Sequence, residues 1–143
     1  MRCSALPFVL LLTAASAAAQ PEVTVPVTPV PPVIDGRLDP EEWRGAVVLE
    51  GFRQVEPGEG VPGSEPTRIL LMIDAENLYV GLDMEDSDPA GIRASQIVRD
   101  AVLDPDDRVE IVLDTFHDQR NAYFFQIGPG GSKGDALIGN NGA

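Results

Sequence analysis

Cysteine, histidine and tryptophan each occur once in the 143 residues, and aromatic side chains make up only 6% of them. The one cysteine, Cys3, falls in an apolar N-terminal stretch without a lipobox-like run before it. The rest of the chain therefore has no means of forming a disulfide or of doing thiol chemistry. A single histidine, His117, leaves no His/Cys cluster for zinc, and no G-x-x-x-x-G-K-S/T phosphate loop is present. Basic residues are scarce as well, 10 against 23 acidic ones. Such a balance repels a nucleic-acid backbone or an anionic membrane face and favours cations and neutral molecules as partners.

The first residues combine Arg2, an apolar run over 6–15 and the small residues Ala17, Ala18 and Ala19 before Gln20. This is the pattern of a cleaved secretory signal, and the run is too short to cross a bilayer. Residues 1–19 are thus expected to be a signal peptide that sends the chain to the periplasm or cell surface. Loss of Arg2 leaves 9 basic against 23 acidic residues, a net charge of −14 with His117 neutral. Residues 20–32 alternate valine with proline, which no helix tolerates and no central strand accepts, so they form an extended leader or an edge strand. Residues 33–143 are expected to make one domain.

Within that stretch the hydrophobic period is two. A first strand is expected over 45–55, followed by a loop of turn residues over 57–66. Strands over 68–74 and 78–85 flank the hairpin-sized connection Ala75, Glu76 and Asn77. In the second of these, Leu78, Val80, Leu82 and Met84 are assigned to the core, and Tyr79, Gly81, Asp83 and Glu85 to a wet face. Over 108–114, Val109, Ile111 and Leu113 oppose Arg108, Glu110, Val112 and Asp114. Over 122–127, Tyr123, Phe125 and Ile127 oppose Phe124 and Gln126. A helical turn is conceivable within 89–100, weakened by Gly91. The glycine-rich tail after Ile127 reads as lacking a closing strand. The expected fold is all-β, an antiparallel two-sheet β-sandwich of jelly-roll or immunoglobulin-like type, cut short at its C-terminal end.

Three stretches carry a resemblance. The opening PPVIDGRLDPEEW, ending at Trp43, resembles the start of the family 9 carbohydrate-binding modules. ILLMIDAENLYVGLDMED and DDRVEIVLDTFHDQRNAYFFQI are similar to that family's later strand motifs. The likeness covers most of 33–131. It extends to the N-terminal domains of bacterial envelope proteins that continue into an outer-membrane β-barrel, through Arg99, Asp100, Asp106, Asp107 and the D-T-F-x-D-x-R run. The resemblance implies a non-catalytic module that binds polysaccharide and serves carbohydrate breakdown beside O-glycosyl hydrolases. The alternative is an interaction or gating domain of a barrel protein. By motif position Glu110 and Gln126 correspond to the residues that hydrogen-bond sugar hydroxyls, and carboxylate and amide have the acceptors and donors for that task. The stacking tryptophan that precedes the V-E-I strand in sugar-binding members is replaced here by Leu103, Asp104 and Pro105, and a second would fall beyond Ala143. Trp43, by its place in the motif, is expected in the core.

The same family binds structural calcium, and Asp86, Asp88, Asp106 and Asp107 are the candidate ligands, hard oxygen donors in turns whose spacing matches no EF-hand. Gly130 to Gly134 spell G-x-S-x-G, but a hydrolase elbow needs strand, turn and helix with a histidine after the serine, and His117 precedes Ser132. Paired carboxylates such as Glu110 with Asp83 or Asp114 have no feature marking a raised pKa, so no catalytic role is assigned.

Overall fold

The computed structural model describes residues 22–142. The expected signal peptide and Cys3 lie outside the described residues. The secondary structure is all-β: β1 (Val47–Leu49), β2 (Thr67–Ile73), β3 (Leu78–Met84), β4 (Val109–Leu113), β5 (Ala122–Ile127) and β6 (Lys133–Ile138). They form two three-stranded antiparallel sheets, ordered β1-β2-β3 and β4-β5-β6. This is the all-β, two-sheet class that the alternation predicts. The described residues divide into two compact units, one built on 22–63 with Thr67–Asp83, the other on Ser64–Pro66 with 84–142.

In the first unit β1 is only three residues long, shorter than the expected 45–55. Gly45 and Gly51 flank it with φ of 90° and 74°, a left-handed backbone that leaves the extended conformation on both sides. The leader contributes one parallel bridge, Val27 to Ile73, in which Thr28 N–H donates to the Ile73 carbonyl and Ile73 N–H to the Pro26 carbonyl. It thus docks as an edge, where proline's missing N–H does no harm. The β2–β3 turn is closed by Asp74, whose Oδ1 accepts the N–H groups of Glu76 and Asn77 at 2.8 and 2.7 Å. Its Oδ2 accepts the Tyr79 hydroxyl at 2.6 Å. That hydroxyl is the main reason its pKa falls to about 2, with the backbone N–H groups adding to it.

The core of this unit corrects the expected wet face of β3. A turn over 39–46, in which Trp43 N–H donates to the Asp39 carbonyl, carries Trp43 across the sheet. A methyl at Gly81 would meet the Trp43 ring at 3.1 Å and Leu38 at 2.8 Å, so both side chains lie directly on the Gly81 backbone. The Arg68–Asp83 ion pair puts the even residues of β2 on that same face, including Met72, which is 1% exposed. Trp43 is buried, as expected of a core residue, whereas Leu78 and Met84 on the opposite face are exposed. Alternation alone does not say which face a neighbouring segment will cover, and a glycine between polar positions supplied the flat seat for the indole.

In the second unit the expected helical turn shrinks to a 3₁₀ turn at Pro89–Gly91, and the glycine-rich tail, expected to lack a strand, forms β6. The reversal is Gly128–Ser132: Gly128 N–H donates to the Ser132 carbonyl, and Gly131 has φ 88°. Glycine content signalled the turn but hid the strand after it.

Candidate functional site

The β4–β5 register sets Glu110 directly opposite Gln126 and Val112 opposite Phe124. The β5–β6 register adds Gly134 beside Gln126, Ala136 beside Phe124 and Ile138 beside Ala122. Paired residues of an antiparallel sheet share a face. One face of this sheet therefore carries a polar end of Glu110 and Gln126, a middle row of Val112, Phe124 and Ala136, and a far end at Ala122 and Ile138. Both sequence-predicted ligand residues are brought together on it.

Their neighbours shape what they can do. Gln126 lies flat across β6, for a methyl at Gly134 would sit 2.5 Å from its amide nitrogen, and that nitrogen donates to the Ala101 carbonyl at 3.1 Å. Arg108, two residues before Glu110 and hence on the same face, donates through Nε to Glu110 Oε1 at 2.6 Å and through Nη1 to the Leu103 carbonyl at 3.0 Å. The Glu110 carboxylate holds the Arg108 guanidinium above its ordinary pKa. Segment 101–104 thus borders the polar end, anchored by buried Leu103. The part that stays open is the Glu110 carboxylate with the apolar row beside it, where Val112 is 56% exposed and Phe124 half-buried. A carboxylate next to a flat apolar strip can accept hydroxyl hydrogen bonds while C–H groups rest on the strip.

Two of the acidic residues considered for calcium, Asp106 and Asp107, tie the stretch 93–96 to the start of β4, and a third, Asp86, closes a local turn. Asp106 accepts the Ser95 hydroxyl and the Gln96 N–H, both at 2.7 Å, and these bonds, the hydroxyl first, lower its pKa. Asp107 accepts the Arg93 N–H at 2.8 Å and Asp86 accepts the Asp88 N–H at 2.7 Å. Calcium needs six to eight oxygen ligands. Both Asp106 oxygens are taken by protein donors, and no group of three or more metal-ligating side chains gathers among the described residues. In this arrangement the carboxylates of Asp86, Asp106 and Asp107 hold loop backbone.

Ser132 sits in the β5–β6 turn, buried, its hydroxyl without a partner among the described residues. Strand, turn and strand surround it, so the G-x-S-x-G letters have no elbow geometry. His117 is exposed in the β4–β5 loop with φ 53°. Sequence reasoning missed the roles of Gly134, Arg108 and segment 101–104. Arg108 was within reach, because an i, i+2 spacing to Glu110 on a strand means one face. The Ala101 and Leu103 carbonyls left no signal, since a backbone acceptor has no residue type.

Comparison with known proteins finds no matching family model, no matching curated protein and no matching solved structure.

Proposed function

We propose that the chain is a non-catalytic module that binds a glycan on the Glu110 face of the β4-β5-β6 sheet, acting at the cell surface or in the periplasm alongside glycoside-hydrolysing systems. The observation that carries this reading is the Glu110–Gln126 cross-strand pair beside the apolar row of exposed Val112, half-buried Phe124 and exposed Ala136. The likeness of the I-D-G and V-E-I stretches to family 9 carbohydrate-binding modules supports it. Phe124 takes over part of the apolar contact that a stacking tryptophan supplies in such modules. Glu110 accepts from ring hydroxyls, and Arg108 donates to one oxygen of its carboxylate and so orients it along the face.

Titration with soluble cello- and xylo-oligosaccharides tests the reading. Saturable binding is expected, and Glu110→Ala should weaken it by about 1 to 3 kcal/mol while the circular-dichroism spectrum stays that of the parent. Absence of saturable binding, or an affinity indifferent to Glu110, would end it.

The second reading, an interaction or gating domain of an outer-membrane β-barrel protein, draws on the opposite face of the same sheet. Tyr123, Phe125, Ile127 and Leu137 lie there between 38% and 76% exposed. Exposed apolar clusters of this kind mark protein contacts. Association of the chain with a barrel protein in detergent extracts, unaffected by oligosaccharide and lost in Leu137→Asp, would favour it.

A further inference from the structure

The β4–β5 loop, which connects Leu113 to Ala122, is held by its own carboxylates. Asp114 accepts the Asp118 N–H through Oδ1 at 3.2 Å and the Gln119 N–H through Oδ2 at 2.7 Å. Asp118 accepts the N–H groups of Arg120 and Asn121, both at 2.8 Å, and the Asn121 side-chain amide at 2.6 Å. His117 and Gln119 take left-handed backbone angles, φ 53° and 56°, inside this network. Such angles disfavour side chains other than glycine or asparagine and persist only where surrounding bonds enforce them. The loop is thereby set as a rim, and its acidic groups are engaged by N–H donors.

Beside it lies a cleft of about 290 Å³ walled by Val112, Ala122 and Ile138, with Gln119, Arg120 and Asn121 at the loop side and Asp114, whose two oxygens accept the loop N–H groups, also lining it. Val112, Ala122 and Ile138 all belong to the Glu110 face. Asp114 lies four positions after Glu110, so the cleft stands roughly 13 Å along the strand from the polar end. The guanidinium of Arg120 makes no ion pair or hydrogen bond among the described residues, in a chain with 23 acidic side chains to choose from. Two other arginines of this unit are paired, Arg108 with Glu110 and Arg99 with Asp135.

We infer that this cleft is a second subsite for a carboxylate-bearing sugar residue, a uronic acid, in the same linear glycan whose neighbouring rings lie along the row Val112, Phe124 and Ala136 toward Glu110. The inference rests on the glycan reading proposed above. A pyranose ring offers a C–H face to the apolar walls, and its carboxylate matches the planar two-donor fork of Arg120. The amides of Gln119 and Asn121 stand at the same rim for ring hydroxyls. The chain's net negative charge opposes an anionic ligand at long range, but at physiological salt that repulsion is screened beyond about 8 Å. Within the cleft the Asp114 carboxylate opposes the ligand, its charge offset by the Asp118 and Gln119 N–H groups, and the Arg120 guanidinium attracts it.

Oligogalacturonate of four rings and its fully methyl-esterified counterpart, titrated into the whole chain, separate the possibilities. The acidic oligomer is expected to bind about tenfold or more tighter than the ester, a factor in line with a charge-assisted contact. Arg120→Gln should abolish the difference by weakening the acid far more than the ester, and Arg120→Lys should keep part of it. The Asp118 bond to residue 120 uses backbone, so these variants leave the loop intact. A preference for the acid that survives in Arg120→Gln, or equal affinities throughout, overturns the subsite while Glu110→Ala still weakens both ligands if the parent reading holds. Failure of both oligomers and of neutral cello-oligosaccharide to bind removes subsite and parent reading together.

Discussion

The two sheets of this protein are made from the same kind of strand and use their faces in opposite ways. In β1-β2-β3 a tryptophan, a leucine and a buried methionine close one face over a glycine, and the polar positions there are reduced to an Arg68–Asp83 pair at the margin. In β4-β5-β6 the one deeply buried hydrophobic among the described residues of that unit is Leu103 from a bordering segment, and both faces keep apolar side chains open. Hydrophobic burial is what stabilises a sheet, so the first unit carries stability on a few large side chains. The second keeps surface available, and loops rather than core fix the positions of its polar groups.

The sharpest way to break that contrast is to truncate both regions. Trp43→Ala should destabilise by about 3 to 5 kcal/mol and Met72→Ala by about 2 to 5 kcal/mol, measured by urea denaturation, since each removes buried contact and leaves a cavity. Leu137→Ala should stay within about 0.5 kcal/mol, because its side chain already faces solvent. Equal losses at Trp43 and Leu137 would show that the open face is covered in solution.

A smaller effect is expected at the polar end. Gly134→Val places a side chain where the Gln126 amide now lies, so that amide should leave the Ala101 carbonyl at a cost of about 0.5 to 1.5 kcal/mol for the lost bond. The Gln126 side-chain amide resonances report it directly, and glycan affinity should fall with them. Resonances identical to the parent would show that Gln126 is positioned by something other than the Gly134 seat.

The mildest prediction concerns pH in the first unit. The Asp74 pKa is depressed to about 2 from an ordinary 3.8, with the Tyr79 hydroxyl as the leading cause. A depressed carboxylate stabilises the folded state above its unfolded value, and that contribution disappears as pH falls from near 4 toward 2. Tyr79→Phe should raise the Asp74 pKa toward 3.8 and remove part of that acid sensitivity, as followed by carboxyl-carbon NMR titration. A pKa that stays near 2 would assign the shift to the Glu76 and Asn77 N–H groups alone.

Much of the strand content was legible in the residues. The runs over 68–74, 78–85, 108–114 and 122–127 differ from the observed strands by a residue or so at most, because period-two alternation between turn signals is a direct consequence of the pleat. The pairing of Glu110 with Gln126 on one face follows from the same rule once the two strands are neighbours. Strand β6 was obscured because glycine depresses strand propensity while still pairing well beside a long side chain such as Gln126. The Arg120 cleft was equally hidden: D-T-F-x-D-x-R reads as a polar turn, and nothing in it distinguishes an arginine that pairs from one that does not.

Composition and period were sufficient to settle the β class, to exclude disulfide and thiol chemistry after Cys3, and to sort side chains into alternating sets. Tertiary structure decided which set is covered, because that depends on where the segments over 39–46 and 101–104 come to rest. It also decided which polar groups are already engaged, since backbone carbonyls and N–H groups are identical in every residue, and only the folded path of the chain brings them within bonding distance.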